Sequence, residues 1–350
     1  MRRRKSSVKK KVLVTGGTGF IGSHLCARLV QQDYFVYCLD NNYSGSTENI
    51  RQLKHLPNFR FLHQDVIGQI ALDVSEIYNL ACPASPVHYQ AEPIRTTVTN
   101  VLGTLNTLRL AERCGAKLLQ SSTSEVYGDP RVHPQTEAYW GNVNPIGPRA
   151  CYDEGKRCAE TLCFDFQRQH GVPVKIARIF NTYGPRMLEN DGRIISNFVV
   201  QALRVEPLTV YGDGSQTRSF CYIEDMVEAL FRLMQSPAEV TGPMNLGNPE
   251  EIPVLEVANR VIEMTGSASR ITFQPLPQDD PTRRRPDISV ARRTLDWRPT
   301  VSFDQGLRQT IAYFADRLAQ GGRDPARNQA GSEWVDDSPP SVALRALGSM

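Results

Sequence analysis

The sequence predicts an α/β protein built on a doubly wound parallel sheet, with a smaller C-terminal portion packed against it. Three observations support this class. Short apolar runs rich in β-branched residues alternate with amphipathic helical segments, and a glycine-rich turn joins the first run to the first helix. After Tyr183 the regular alternation gives way to shorter and more mixed pieces.

The N-terminal half alternates strands and helices from residue 11 onward. Apolar runs predict strands over 11–16, 34–40, 59–65, 75–81, 116–122 and 173–181. Helical spacing of apolar residues covers 21–32, 97–115 and 150–170, and Gly115 is placed to cap the second of these helices. Strands that alternate with helices form βαβ units, so we expect a parallel sheet covered on both faces.

Composition divides the chain into four parts. Residues 1–10 form a basic tail and residues 319–350 a tail rich in glycine, proline and serine, and both are predicted to be disordered. Residues 11–182 carry the predicted sheet, and residues 183–318 form the C-terminal portion.

Charge and composition exclude several classes of function. A net charge of +3, part of it from the basic tail, is too small to predict a nucleic-acid partner. No secretory signal and no run of about 18 apolar residues is present, so no membrane span is expected. The eight cysteines form no C-x-x-C pair, which predicts reduced thiols in a cytosolic protein. The six histidines show no ligand spacing, and no metal is expected.

The segment TGGTGFIG predicts a dinucleotide site. Gly16, Gly19 and Gly22 stand between a strand and a helix, where glycine allows the tight turn and the close approach of a pyrophosphate. Asp40 ends the second strand, where a carboxylate accepts the ribose hydroxyls of NAD and repels the extra phosphate of NADP. Asp65 either contacts the adenine or caps a loop. The neighbouring residues Phe20, Ile21, Asn41 and Val66 complete the predicted cofactor site.

Tyr152 and Lys156 stand four residues apart in CYDEGKR, so on a helix both side chains point the same way. An unperturbed tyrosine has a pKa of about 10, too high for a base at neutral pH. A nearby ammonium and the positive nicotinamide ring are expected to lower the pKa of Tyr152, which would then act as a base.

The glycine loop, the STS segment and the Y-x-x-x-K pair, in this order, resemble the extended short-chain dehydrogenase/reductase family, whose cofactor domain is a Rossmann fold. Over residues 11 to about 315 the chain is similar to one branch, the UDP-glucuronate decarboxylases. The segments that carry this similarity are ACPASPVHY, STSEVYGDPRVHPQTEAYWGNVNPIGPRACYDEGKR, ARIFNTYGPRM, DGRIISNF, LTVYGDGSQTRSF and NLGNPEE.

The resemblance implies that UDP-glucuronate is oxidised at carbon 4 by NAD, loses CO₂ as a β-keto acid, and is reduced again to UDP-xylose. Tyr152 would be the base, Thr123 would hold the sugar oxygen, and Lys156 would bind the nicotinamide ribose. Related dehydratases carry aspartate where this chain has Ser124, and aspartate would repel a substrate carboxylate. Glu125 would act near carbon 5 as an acid, as a base or by positioning water, or it would only hold the loop.

The resemblance also places UDP on the C-terminal portion. Arg218 would position the substrate carboxylate or donate a proton at carbon 5, and carboxylate positioning is favoured because arginine is hard to deprotonate. The other predicted substrate residues are Ser85, Tyr89, Arg95, Asn181, Arg193, Tyr211 and Arg285. Arginine at position 95 departs from the lysine expected in this branch, and Arg283 and Arg284 remain alternatives to Arg285.

Two alternatives remain open. One is a 4,6-dehydratase or 4-epimerase of nucleotide sugars on the same fold, and the other is an NAD-binding scaffold without catalysis. The resemblance further implies a homodimer in which the helices over 97–115 and 150–170 form a four-helix interface. Some relatives have an N-terminal membrane anchor that this chain lacks, so a cytosolic location is expected.

Overall fold

A computed structural model describes residues 9–276 and 283–321 of the chain. The two tails that the sequence predicts to be disordered lie largely outside these residues. The described strands are β1 Lys11–Thr15, β2 Phe35–Asp40, β3 Phe59–His63, β4 Glu76–Asn79, β5 Lys117–Thr123, β6 Val174–Ile179, β7 Thr182–Tyr183, β8 Leu208–Tyr211, β9 Thr217–Ser219, β10 Cys221–Tyr222, β11 Met244–Leu246, β12 Glu251–Pro253, β13 Ile271–Gln274 and β14 Arg283–Arg284.

The main sheet has the strand order β11-β6-β5-β4-β1-β2-β3, and every pairing in it is parallel. The order reverses beside β1, because β2 lies on one side of it and β4 on the other. Ligands bind outside the carboxyl ends of the strands at such a reversal. The prediction of a doubly wound α/β fold is confirmed.

The α-helices are α1 Phe20–Gln31, α2 Pro86–Tyr89, α3 Pro93–Val98, α4 Thr104–Cys114, α5 Ala150–His170, α6 Ile194–Leu203, α7 Ile223–Gln235, α8 Val254–Thr265, α9 Ser289–Leu295 and α10 Phe303–Ala319. The single helix predicted over 97–115 is composite, since a π-helical segment at Thr99–Gly103 joins α3 to α4. None of the helices described is long and apolar enough to cross a membrane.

Two apolar cores cover the two faces of the main sheet. Side chains alternate along each strand, so Val12 and Val14 join one core while Leu13 joins the other. The first core includes Leu25 of α1, and the second includes Leu108 of α4. Burial on both faces explains why the strands read as continuous apolar runs in the sequence.

The C-terminal portion contributes to the main sheet as well as to smaller ones. Strand β11 pairs with β6 at the edge of the main sheet, so a boundary at residue 182 does not separate the sheet cleanly. Strand β9 lies between β12 and β14, and this places Arg218 beside Arg284. The assignment of 183–318 to substrate binding stays a prediction.

Candidate active site

A cleft of about 590 Å³ runs along the carboxyl ends of the main-sheet strands and into the C-terminal portion. Every residue that the sequence predicts for the site lines this cleft except Arg285. The cleft therefore brings together segments from both halves of the chain.

The glycine loop closes around backbone atoms that leave no room for side chains. Gly16 has a φ of +66°, and a Cβ there would lie 2.9 Å from the carbonyl oxygen of Leu80. A Cβ on Gly22 would lie 2.1 Å from the carbonyl oxygen of Gly16. The third glycine thus lets helix α1 approach the loop, which leaves the start of the helix facing the cleft.

Asp40 joins the glycine loop to the end of β2. Its Oδ2 accepts a hydrogen bond from the backbone N–H of Thr18 at 3.0 Å, and its Oδ1 accepts one from the N–H of Asn42 at 2.8 Å. The carboxylate is buried but still lines the cleft. This cradle of glycines with a carboxylate at the end of β2 fits the pyrophosphate and the ribose hydroxyls of NAD.

Asp65 anchors the far end of the cofactor region. Asn41 donates a hydrogen bond from Nδ2 to Asp65 Oδ2 at 2.7 Å, and Arg95 Nη2 lies 3.4 Å from the same oxygen. The Arg95 guanidinium also lies 4.6 Å from the ring centre of Tyr43. Asp65 and Tyr43 thus hold Arg95 in the cleft lining beside residues that the sequence predicts for the cofactor, and the substrate role of Arg95 stays a prediction.

The STSEVYG segment forms a tight turn at the end of β5. Thr123 ends the strand, and its hydroxyl accepts a hydrogen bond from the backbone N–H of Glu125 at 3.2 Å. A 3₁₀ turn follows over Ser124–Tyr127, and Gly128 leaves it with a φ of +61°. The turn presents Thr123, Ser124 and Glu125 to the cleft in succession.

Tyr152 and Lys156 lie one turn apart on α5 and both line the cleft. Burial raises the pKa of the Tyr152 phenol, the Cys82 thiol raises it further, and a hydrogen bond with Thr123 acts against them. Lys156 Nζ lies 5.7 Å from the ring centre of Tyr152 and donates to the carbonyl oxygen of Ser121 at 3.0 Å. Lys156 alone therefore does not lower the pKa of Tyr152 as the sequence predicts.

Tyr89 packs directly on Tyr152. The two rings are stacked with centres 5.0 Å apart and planes 6° apart. The buried hydroxyl of Tyr89 has no hydrogen-bond partner among the described residues, so it is free to bond a ligand. Nearby, Ser85 donates to the carbonyl oxygen of Asp191, and Arg193 pairs with the Asp191 carboxylate at 2.6 Å.

Glu125 lies between two arginines. Arg149 Nη2 contacts Glu125 Oε2 at 2.6 Å, and Arg284 Nη1 contacts Glu125 Oε1. Burial alone would raise the pKa of the Glu125 carboxyl, but the two guanidinium groups outweigh burial and hold the pKa below its usual range. Glu125 is therefore an anion in this arrangement, which makes it a better acceptor or water-positioning group than a proton donor.

Sequence reasoning missed Arg149 and named Arg284 only as an alternative to Arg285, although both line the cleft and contact Glu125. Arg284 is 5% exposed, and its neighbour in the next strand is the equally buried Arg218. Arg285 instead lies outside the cleft lining and places Nη1 3.7 Å from Glu251. Within the run of three arginines, alternation along the strand is the signal that separates the inward residue from its neighbours.

The remaining predicted substrate residues lie where the cleft passes into the C-terminal portion. Asn181 follows β6 and Tyr211 ends β8, and Tyr211 is 44% exposed at the rim. In the described parts of the chain no group of three His, Cys, Asp or Glu side chains could hold a metal ion. All eight cysteines are free thiols.

Known proteins match this chain over most of its length. A family model described as GDP-mannose 4,6 dehydratase matches residues 13–310. UDP-glucuronic acid decarboxylase 4 of Arabidopsis thaliana is 55% identical over 314 residues, covering 89% of this chain and 70% of the relative. UDP-glucuronic acid decarboxylase 1 of Danio rerio is 53% identical over 310 residues, covering 89% and 74%. The chain belongs to the UDP-glucuronic acid decarboxylase family.

Members of this family share their fold with nucleotide-sugar epimerases. The crystal structure of UDP-glucuronic acid 4-epimerase from Bacillus cereus, in complex with UDP-glucuronic acid and NAD, superposes with a TM-score of 0.79. It is 28% identical to this chain and covers 88% of it, and the chain covers 99% of the epimerase. The predicted resemblance to the extended short-chain dehydrogenase/reductase family is confirmed.

Proposed function

We propose that this protein converts UDP-glucuronate to UDP-xylose and CO₂ with NAD as its cofactor. The observation that carries the proposal is that two sets of side chains line the same cleft. Thr123, Tyr152 and Lys156 form the set that handles a sugar hydroxyl. Arg218 and Arg284 line the same cleft as buried cations that suit a substrate carboxylate.

The cofactor would be held by the N-terminal end of the cleft. Gly16, Gly19 and Gly22 leave room for the pyrophosphate, and Asp40 accepts the ribose hydroxyls. Phe20, Ile21, Asn41, Asp65 and Val66 border the rest of that region. When bound, NAD supplies a hydride acceptor for carbon 4 and a positive ring that favours the Tyr152 phenolate.

Tyr152 acts first as the base for the carbon-4 hydroxyl and later returns the same proton. Thr123 is placed to steady the sugar oxygen, because its hydroxyl acts to lower the pKa of the Tyr152 phenol and both residues line the cleft. The stacked ring of Tyr89 and the Lys156 ammonium restrict the Tyr152 ring to one position. The chain thus keeps one proton in a closed cycle between tyrosine and sugar.

The carboxylate group of the substrate distinguishes this site from that of a dehydratase. Ser124 is 2% exposed and lines the cleft where related dehydratases carry an aspartate. A hydroxyl donates a hydrogen bond to a carboxylate, whereas a second carboxylate would repel it. Arg218 and Arg284 then orient the carboxylate for loss as CO₂, and Glu125 remains beside them as an anion.

Arg218 and Arg284 do not exclude the epimerase alternative, because the substrate of such an epimerase also carries a carboxylate. Identity favours the decarboxylase, since the decarboxylases of Arabidopsis thaliana and Danio rerio reach 55% and 53% while the Bacillus cereus epimerase reaches 28%. These relatives are named as enzymes, which disfavours a purely scaffolding role.

Assembly and location follow as further parts of the proposal. We propose a homodimer formed through α3, α4, the π-helical segment between them and α5, where Ile94 of α3 and Leu102 of the π-helical segment expose apolar surface. Light scattering after gel filtration would test it, and a monomeric mass would refute it. Eight free thiols fit the reducing cytosol, where we place the protein.

The proposal is tested by incubating the purified protein and NAD with UDP-glucuronate that carries ¹³C at carbon 6. Equal amounts of labelled CO₂ and UDP-xylose are expected. A labelled UDP-uronic acid with inverted carbon 4 would indicate the epimerase. Conversion of UDP-glucose or a dTDP-hexose to a 4-keto-6-deoxy sugar would indicate the dehydratase.

A further inference from the structure

A second cavity of about 210 Å³ lies behind the Glu125 ion pairs. It shares Glu125, Arg149 and Arg284 with the catalytic cleft, so these three side chains form the wall between the two spaces. Exposed residues Asp129 and Asn142 lie on its outer side. We refer to this space as the rear cavity. It connects the surface of the protein with the side of Glu125, Arg149 and Arg284 that faces away from the catalytic cleft.

Asp153 lines the rear cavity from the first turn of α5. It is 6% exposed, and its Oδ1 has no hydrogen-bond partner in the described chain. A buried carboxylate oxygen without a hydrogen-bond partner is costly, and this favours the protonated form of the group. Burial first and the charge of Glu125 second raise the pKa of Asp153, which reaches about 8 although two arginines act against them.

The charges around Asp153 come from several elements. Arg149 at the start of α5 and Arg284 on β14 lower the pKa of its carboxyl, whereas Glu125 and the following residue Glu154 raise it. Asp129 faces the same cavity from the loop after the 3₁₀ turn. The result is a pair of carboxyls with opposite tendencies, since Glu125 is held as an anion while Asp153 favours its protonated form.

The proposed reaction consumes one proton per turnover, and this part of the argument rests on the proposed function. Loss of CO₂ from a carboxylate leaves an electron pair at carbon 5, which must form a C–H bond. The proton that Tyr152 removes from the carbon-4 hydroxyl returns to the same oxygen, so it is not available. Carbon 5 therefore needs a proton that comes from solvent.

We propose that Asp153 stores this proton and delivers it through water in the rear cavity, past Glu125, to carbon 5. The O–H bond of Asp153 breaks as the C–H bond at carbon 5 forms, and Asp153 becomes a carboxylate. Solvent at the Asp129 and Asn142 side then restores its proton. Asp153 acts through water and does not touch the substrate, so it is a positioning and relay residue.

The test compares Asp153→Asn with Glu154→Gln, a matched control on the adjacent half-exposed carboxylate of the same helix. In Asp153→Asn we expect kcat to fall about 10-fold. Reduced cofactor waits for carbon-5 protonation before it is reoxidised, so its steady-state absorbance should rise, and the solvent isotope effect on kcat should increase. Glu154→Gln should stay close to the wild type in all three measurements, because Glu154 has the weakest influence among the charges that shift the pKa of Asp153.

The wild-type kcat should also decline as the pH rises through about 8, because Asp153 then loses its stored proton. This decline should be absent in Asp153→Asn. Infrared difference spectra at pH 7 offer a readout independent of turnover, since a protonated-carboxyl band of the wild type should be missing in Asp153→Asn but present in Glu154→Gln.

A second variant avoids any change of charge. Val143→Phe narrows the rear cavity from its rim and should also raise the absorbance of reduced cofactor. Unchanged kcat, absorbance and isotope effect in both Asp153→Asn and Val143→Phe would overturn the relay while leaving the decarboxylase assignment intact. Failure of the wild type to form UDP-xylose would instead reject the function on which the relay rests.

Discussion

The two ends of the cleft are built in different ways. The cofactor end comes mainly from the first 66 residues, where the glycine loop and Asp65 follow parallel strands of the main sheet and Asp40 ends another. The substrate end joins distant segments, since Arg284 contacts Glu125 across 159 residues of sequence. The first end is defined by local motifs, and the second exists only after the chain has folded.

The two ends of the cleft also differ in the interactions that stabilise them. At the cofactor end, the Asp40 carboxylate accepts hydrogen bonds from the backbone N–H groups of Thr18 and Asn42. The substrate end buries charged side chains, which are stable only while each has a partner. We therefore expect substitutions at the substrate end to affect stability and catalysis together, and those at the cofactor end to affect mainly cofactor affinity.

The largest effect is expected at the residue that both ends share. Tyr152→Phe removes the base while keeping the ring that stacks on Tyr89. We expect kcat to fall about 1,000-fold with NAD affinity unchanged. Single-turnover kinetics and cofactor titration measure the two quantities, and near-normal turnover would refute the role of Tyr152 as base.

The next effect tests the substrate end. Arg284→Gln removes a buried cation beside Glu125, and kcat/KM for UDP-glucuronate should fall about 100-fold, with a loss of thermal stability. Arg285→Gln is the matched control, because Arg285 lies outside the cleft lining. A larger loss in Arg285→Gln than in Arg284→Gln would support the predicted role of Arg285 in substrate binding.

The cofactor end is tested by Asp40→Asn. Losing the charged acceptor should raise the Kd for NAD about 30-fold, while kcat at saturating NAD should change little. Asp33→Asn, at an exposed turn residue before β2, is the control and should bind NAD normally. Isothermal titration measures both variants, and an unchanged Kd in Asp40→Asn would disprove the ribose contact.

The smallest effect concerns specificity. Ser124→Asp should raise KM for UDP-glucuronate about 10-fold by repelling the substrate carboxylate, whereas Ser124→Ala should raise it only about 2-fold. Steady-state kinetics of the two variants separate charge from loss of a hydrogen bond. Equal KM values in Ser124→Asp and Ser124→Ala would show that position 124 does not face the carboxylate.

Much of the fold was predictable because local patterns specify it. The strand runs, the helix at 150–170 and the glycine loop all follow from residue spacing. Residue spacing did not predict the π-helical segment at Thr99–Gly103. It also did not predict the edge strand β11, because a short strand has little periodicity and its partner β6 is distant in sequence.

The site was predictable where one segment supplies the chemistry. Thr123, Tyr152 and Lys156 were found from short motifs and the resemblance, and all line the cleft. Arg284 could not be told apart from Arg283 and Arg285, because only the tertiary pairing of β14 with β9 turns it inward. The raised pKa of Asp153 likewise depends on burial and on Glu125, which no local pattern reveals.

The central claim is that carbon 4 is oxidised before the loss of CO₂ and reduced again after it, so that the reaction has no net redox change. Proton NMR of the reaction of UDP-glucuronate with the NAD-loaded protein in D₂O tests it most directly. The account predicts UDP-xylose with one deuterium at carbon 5 and the original hydrogen at carbon 4, without net NADH. Accumulation of a UDP-4-keto-pentose with equal NADH, or a product that keeps carbon 6, would contradict it.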